Sequence, residues 1–237
     1  MTLEQFIKEV VDLYAKKHKK KRFGGNKNIF RCKIGSISSD AEDLYAKFLD
    51  VNFKKQGRKC QIFVNANLRP KKGRSFRPDI VVVDSKKGKI TKLVELKTDI
   101  GYSRKEFGQY LKNRKIHLKN LEKDKQIKHL SGNTCSNHNS DGCTISQNIK
   151  YDIVIISAQN AGEKDLTLEN KKKRKAGIKV FCLSSERHPN IFPELGSIPD
   201  NSTKKYISTD RDINKNRDKK DRAIIVHKEI EKELIKL

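Results

Sequence analysis

The sequence predicts an α/β protein built as a three-layer sandwich with a central mixed β-sheet. Apolar, β-branched runs at 80–83, 153–156 and 178–183 are typical of strands buried on both faces. Segments with apolar residues at helical spacing precede and separate these runs. The order helix, hairpin, helix, strand, helix, strand favours a sheet covered by helices. The 237 residues therefore predict a single domain over 1–237.

The elements follow from local patterns. An apolar stripe from Leu3 to Tyr14 predicts a helix over 3–17, and Ser38 or Ser39 is a suitable N-cap for a second helix to about 54. The next predicted elements are a strand at 61–68 and a hairpin of 77–84 and 89–99 with a turn at 85–88, whose first strand opens at Asp79. They are followed by a helix after the capping-box pattern of 103–106, a short helix within 163–175, strands at 151–157 and 178–183, and a closing helix at 222–237. We expect a core over about 38–184, with the first helix, a polar loop at 131–149 and residues 185–237 as appendages.

The charge indicates a polyanionic partner. The formal net charge is +25, from 54 Lys and Arg against 29 Asp and Glu. An AT-rich genome would also enrich lysine and asparagine, which weakens this inference. No apolar run approaches the length of a membrane span, and the N-terminus lacks a signal-peptide pattern. Five cysteines do not make a disulfide framework, so we expect a reducing, cytoplasmic setting.

Two acids and a lysine interrupt the apolar hairpin. In an antiparallel pair whose turn centres on Lys87, Asp79 lies opposite Glu95 and Asp84 lies opposite Ile90. Glu95 and Lys97 share a face because side chains alternate along a strand, and Asp79 joins that face as a cross-strand partner. Carboxylates opposed in this way need a cation or a shared proton. Their hard oxygen atoms suit Mg²⁺, with Lys97 beside the ion rather than bound to it. The simpler interpretation is an ion pair at the end of a sheet.

The spacing of Pro78-Asp79 and Glu95-Leu96-Lys97 within two apolar strands resembles the PD-(D/E)XK nuclease superfamily, over roughly residues 40–115. The resemblance implies a restriction-endonuclease-like fold and an Mg²⁺-dependent deoxyribonuclease that cuts double-stranded DNA, with Mn²⁺ as a substitute metal. Asp79, Glu95 and the Leu96 carbonyl would hold the metal, and Lys97 would position or deprotonate water. The resemblance also implies a glutamate on the preceding helix, for which Glu42 is the first candidate and Asp43 the second. A restriction-type enzyme would act as a homodimer, without a small-molecule cofactor.

Basic residues near these acids are candidates for phosphate contact. The predicted nucleic-acid-binding residues are Lys71, Lys72, Arg74, Arg77, Arg104 and Lys105. On the helix after the hairpin, Lys112, Arg114, Lys115 and Lys119 lie off the apolar side and are expected to face a nucleic-acid backbone.

Two other functions stay open at this point. One is a non-catalytic, basic nucleic-acid-binding protein with a nuclease-like fold. The other is an RNA-binding protein, although aromatic residues are only 7% of the chain and offer little stacking surface. Cys135, His138 and Cys143 are too few and too loosely spaced to predict a structural zinc site.

Overall fold

A computed structural model describes residues 1–19, 36–70, 75–100, 104–124, 127–131, 143–157, 177–186, 188–190, 207–209 and 224–237. The helices are α1 (Leu3–Lys19), α2 (Ser38–Lys55), α3 (Arg104–Asp124) and the short α4 (Glu231–Leu234), which follows a 3₁₀ turn at Lys228–Ile230. The strands are β1 (Cys60–Val64), β2 (Asn67–Pro70), β3 (Ile80–Asp84), β4 (Lys89–Lys97), β5 (Ile127–Ser131), β6 (Thr144–Ser157), β7 (Ile178–Glu186), β8 (Ile207–Thr209) and β9 (Ile224–Val226).

A mixed, open sheet forms the centre of the molecule. Its strand order is β1-β3-β4-β6-β7-β9-β8, and β2 pairs with β5 in a separate ribbon. The antiparallel pairs β1–β3 and β3–β4 lead into the parallel pairs β4–β6 and β6–β7. The short β9 and β8 extend this five-strand core at the β7 edge. The α/β prediction with a mixed sheet between helices is therefore confirmed.

Alternation along the strands explains the layers. Ile80 and Val82 of β3 join the apolar cluster that α1 and α2 share with the sheet, whereas Val81 and Val83 join the cluster under α3. Every second side chain thus faces each helical layer, and the strand is apolar at all four positions because both faces are covered. Leu234 of α4 also lies in the α1–α2 cluster, so the two ends of the chain pack into one core.

The hairpin register agrees with the prediction at the end farther from the turn, next to Asp79 and Glu95. Ile80 pairs with Val94, and Val82 pairs with Lys92, as a turn centred on Lys87 requires. An irregularity between Val82 and Val83 then shifts the pairing by one residue, so Asp84 lies opposite Lys89. The predicted Asp84–Ile90 pair is wrong, because β4 carries one extra residue on the turn side of the irregularity.

Other predicted boundaries need correction. The strand expected at 61–68 is broken at Asn65, whose φ of 55° lies in the left-handed region. The loop expected over 131–149 is too long, because β6 begins at Thr144. The closing helix expected at 222–237 is wrong over 224–226, where a β-branched run adds to the sheet edge beside β7.

Some predictions fall outside the described residues. These are the helix within 163–175, the basic residues at 71–74, and the pair Cys135 and His138. In the described part of the chain, no helix is both long and apolar enough to span a membrane.

Candidate functional site

The two acids and the lysine of the hairpin meet at the carboxyl end of β4. Val94 and Leu96 of β4 face the α1–α2 layer. Because side chains alternate along a strand, Glu95 and Lys97 project to the opposite side, towards the α3 layer. The Glu95 side chain is buried, whereas that of Lys97 is about one-third exposed. The carboxyl ends of β4, β6 and β7 meet at this edge because the three strands are parallel. Such edges are where open α/β sheets bind ligands.

Asp79 lies one residue before β3, beside the end of β4. Its Oδ2 accepts a hydrogen bond of 2.7 Å from the Leu96 amide, and its backbone carbonyl accepts one of 2.7 Å from the Asn65 amide. Burial and the nearby charge of Glu95 raise the pKa of Asp79 to about 6, against the opposing effects of Lys97 and the Leu96 amide. The pKa of Asp79 is therefore raised first by burial of the carboxyl and then by repulsion from the Glu95 carboxylate.

The Lys97 ammonium lies between the two carboxylates. Its Nζ is 3.2 Å from Glu95 Oε2 and 3.8 Å from Asp79 Oδ2. The structure thus brings together the three hairpin residues that the sequence singled out. A cation already occupies the position between the acids, and a metal ion bound by both would compete with this ammonium group.

Glu42 approaches the same edge from α2, on the other helical layer. Its carboxylate is buried and accepts a hydrogen bond of 2.5 Å from Asn65 Nδ2. Burial raises the pKa of Glu42, although the bond from Asn65 and the charge of Lys97 oppose the rise. The second candidate, Asp43, is exposed on α2 and lies away from the cluster in a groove with Asp12 and Lys47. Of the two predicted acids, only Glu42 therefore points towards the site.

Asn65 connects the two parts of this arrangement. Its left-handed backbone turns the chain between β1 and β2, its amide binds the Asp79 carbonyl, and its side chain binds Glu42. Asparagine tolerates this conformation better than most residues that have a side chain. Asn65 was not among the predicted site residues, although an Asn-Ala-Asn segment between two apolar runs is a turn signal.

Arg114 has a different position from the one that the sequence predicts. It was expected to face nucleic acid, but its Nη2 contacts Glu95 Oε1 at 2.8 Å. The guanidinium also packs between the rings of Phe76 and Tyr110, at 5.1 and 4.8 Å from their centroids. The sequence spacing could have indicated this inward position. Arg114 lies four residues from both Tyr110 and Leu118, and residues four apart share one side of a helix, here the inner side of α3.

Tyr151 of β6 completes the surroundings of Glu95. Its hydroxyl donates a hydrogen bond of 3.0 Å to Glu95 Oε1, and its side chain is fully buried. Burial and the charge of Glu95 raise the pKa of Tyr151, so it remains a neutral donor. Arg114 and Tyr151 together hold one carboxylate oxygen, which leaves Oε2 directed at Lys97.

The donor atoms at this edge fit a hard divalent cation. Asp79 and Glu95 supply carboxylate oxygens, and the Leu96 carbonyl lies on the Asp79 side, since the amide and carbonyl of a strand residue point to the same neighbour. Mg²⁺ is commonly held by one or two carboxylates, with water and substrate phosphate as its other ligands. Within the described ranges, no three His, Cys, Asp or Glu side chains are grouped as a metal site. A metal here would therefore depend on two carboxylates rather than on a full protein cage.

The predicted phosphate-binding residues are only partly described. Arg77 is exposed two residues before Asp79. Arg104 and Lys105 begin α3, but the structure does not describe their side chains. Lys71, Lys72 and Arg74 lie outside the described residues. The polyanion interface predicted from them stays a prediction.

Comparison with protein-family models, with curated proteins and with solved structures gave no match for this chain.

Proposed function

We propose that this protein is a metal-dependent nuclease that hydrolyses phosphodiester bonds in double-stranded DNA, with a fold of the restriction-endonuclease-like class. One observation carries the proposal: the Lys97 ammonium lies within 4 Å of both Asp79 and Glu95 at the open carboxyl end of a buried strand. Two acids and a lysine with this geometry combine a cation site with a donor for a negatively charged transition state. The net charge of +25 suits a polyanionic substrate.

Each residue has a defined role in the proposed reaction. Asp79 and Glu95 would hold Mg²⁺ together with the Leu96 carbonyl, and the ion would supply charge stabilisation for the phosphate and acidify a water molecule. The Lys97 side chain is about one-third exposed, so its ammonium group can donate hydrogen bonds to the phosphate oxygens or to the attacking water. Arg114 and Tyr151 keep Glu95 in one orientation through Oε1. Glu42 supports Asp79 indirectly, because Asn65 binds them both.

A second candidate function is nucleic-acid binding without catalysis. It is favoured by the number of contacts that Glu95 already makes, with Lys97, Arg114 and Tyr151. In that case the cluster is a structural ion network at the end of the sheet, and the basic surface alone accounts for the partner.

Cleavage of supercoiled plasmid distinguishes the two functions. The purified protein is incubated with plasmid in Mg²⁺, in Mn²⁺ and in EDTA, and the nicked and linear forms are measured. We expect cleavage with either metal and none in EDTA, and sequencing of the product ends then locates the cuts. Binding to the plasmid without cleavage in any metal would contradict the nuclease proposal and support the second candidate.

A further inference from the structure

The outer face of α3 carries a row of lysines. At about 100° per residue, Lys112, Lys115, Lys119 and Lys123 fall within an arc of about 80°, whose centre lies about 90° around the helix from Leu111 and Leu118. All four are exposed, whereas Leu111 and Leu118 are buried against the sheet. Eleven residue steps separate the first and last lysine, so the row extends about 16 Å along the helix. We call these four residues the lysine row.

Two features distinguish the lysine row from an ordinary solvated face. The α3 segment has seven Lys and Arg against three acids, whereas α1 and α2 together carry seven lysines and seven acids. On those helices Lys17, Lys47 and Lys54 pair with carboxylates. Within the described part of the chain, no lysine of the row has an ion pair. Positive charge is therefore concentrated and uncompensated on the α3 side.

The row lies on the helix that also reaches the candidate site. Arg114, between Lys112 and Lys115 in sequence, points inward and contacts Glu95. A polyanion that follows the lysine row is thus held by the same helix that contacts the proposed metal ligand. The length and straightness of the row suit the regular phosphates of a duplex.

An anionic membrane is a poorer match for this face. A helix that lies on a membrane needs several bulky apolar residues beside its lysines. Among the described residues, Ile116 is the single large apolar side chain that α3 exposes.

We infer that the lysine row is the surface that holds the phosphate backbone of duplex DNA next to the candidate site. This inference rests on the proposed function, because it names the surface that holds the proposed substrate. The contacts are to phosphate, so they position the duplex without reading its sequence. They form without metal, because they depend on charge alone.

The test is the salt dependence of duplex binding in EDTA, measured by fluorescence anisotropy. The test variant changes all four lysines of the row to glutamine, which keeps helix propensity. The matched control changes Lys59, Lys86, Lys87 and Lys89 to glutamine, four exposed lysines at the opposite end of β4. Both variants lose the same net charge. A third variant replaces the row with arginine and retains its charge.

The row variant is expected to reduce the slope of log K against log salt by roughly 3 to 4, at about 0.9 for each phosphate that the protein no longer neutralises. The control and the arginine variant are expected to keep a slope close to that of the wild type. Equal reductions of the salt slope in the row variant and in the control would overturn the inference. Binding to phosphatidylserine vesicles is measured for the same variants. A row variant that loses vesicle binding but binds duplex as the wild type does would also overturn the inference, because the row would then be a membrane surface. Binding through the row without Mg²⁺-dependent plasmid cleavage would contradict only the nuclease proposal.

Discussion

Asp79 is the residue whose protonation most directly reports on the cluster. Its carboxyl is largely buried near Glu95, and its pKa is raised from 3.8 to about 6. A carboxyl with a raised pKa binds a proton more readily in the folded state than in the unfolded chain. The folded state therefore loses stability as the pH rises from about 4 to about 6, when no metal is present.

We expect Asp79→Asn to remove this loss. The amide oxygen can still accept the Leu96 hydrogen bond, but the side chain no longer ionises. In EDTA at pH 8, the variant should exceed the wild type in free energy of unfolding by about 3 kcal/mol, and the difference should vanish below about pH 4. Urea unfolding across this pH range measures it, with Asp43→Asn on the exposed side of α2 as control. A pH-independent difference would contradict the assignment.

Lys97 and a divalent ion would compete for the same two carboxylates. We expect Lys97→Met to bind Mn²⁺ more tightly than the wild type, by roughly tenfold, because it removes an ammonium group within 4 Å of both acids. Calorimetric titration in the absence of DNA measures this affinity. The control is Lys89→Met at the other end of β4, which should leave Mn²⁺ affinity unchanged. Weaker Mn²⁺ binding in Lys97→Met would show that the ion does not lie between Asp79 and Glu95.

At the scale of elements, the sequence predicted the hairpin well and the helix after it less well. The closeness of Asp79 to Glu95 depends on a short turn and on two apolar strands, all of which are local in sequence. The irregularity at Val82–Val83 was not predictable, because nothing in the apolar pattern marks an extra residue. The contact of Arg114 with Glu95 depends on how α3 packs against β4. A cation on the inner side of a helix is placed by that packing rather than by propensity.

The strands β4 and β6 also contain a buried ion pair on the α1–α2 side. Lys92 Nζ lies 2.6 Å from Asp152 Oδ2, and both side chains are almost completely buried. The same ammonium donates hydrogen bonds to the carbonyls of Leu234 and Lys236 in the C-terminal segment. Burial raises the pKa of Asp152, so its charge depends on the lysine beside it. The pair therefore joins the central sheet to the end of the chain.

We expect Lys92→Met to lower the free energy of unfolding by about 3 to 5 kcal/mol, because it leaves the Asp152 carboxylate buried without a partner. The double variant Lys92→Met with Asp152→Leu should recover much of this loss, since both charges are then absent. Urea unfolding of both variants at neutral pH measures the difference. If the double variant is as unstable as the single one, the lost stability comes from the hydrogen bonds of Lys92 to the C-terminal segment, and not from the unpaired Asp152 carboxylate.

At the scale of the whole molecule, two layers have different roles around one sheet. The α1–α2 layer supplies half of the buried aromatic side chains in the described part of the chain, and it places Glu42 near the site. The α3 layer provides Arg114 on its inner side and the lysine row on its outer side. Long-range packing of this kind explains why residues 224–226 form strand β9 where the sequence predicts a helix, because Ile224–Val226 pairs with the edge of β7. The apolar pattern alone does not distinguish these alternatives over three residues.

The most direct test of the central claim compares two conservative variants of one hairpin. Asp79→Asn changes the proposed metal ligand, and Asp84→Asn makes the same change at the other end of β3, away from the cluster. Plasmid cleavage in Mg²⁺ is measured for both and for the wild type, after urea unfolding shows that each is folded. We predict that Asp84→Asn cuts at the wild-type rate and that Asp79→Asn loses at least about 100-fold, the lower range for loss of one transition-state-stabilising group. Equal cleavage by Asp79→Asn and the wild type would contradict the account.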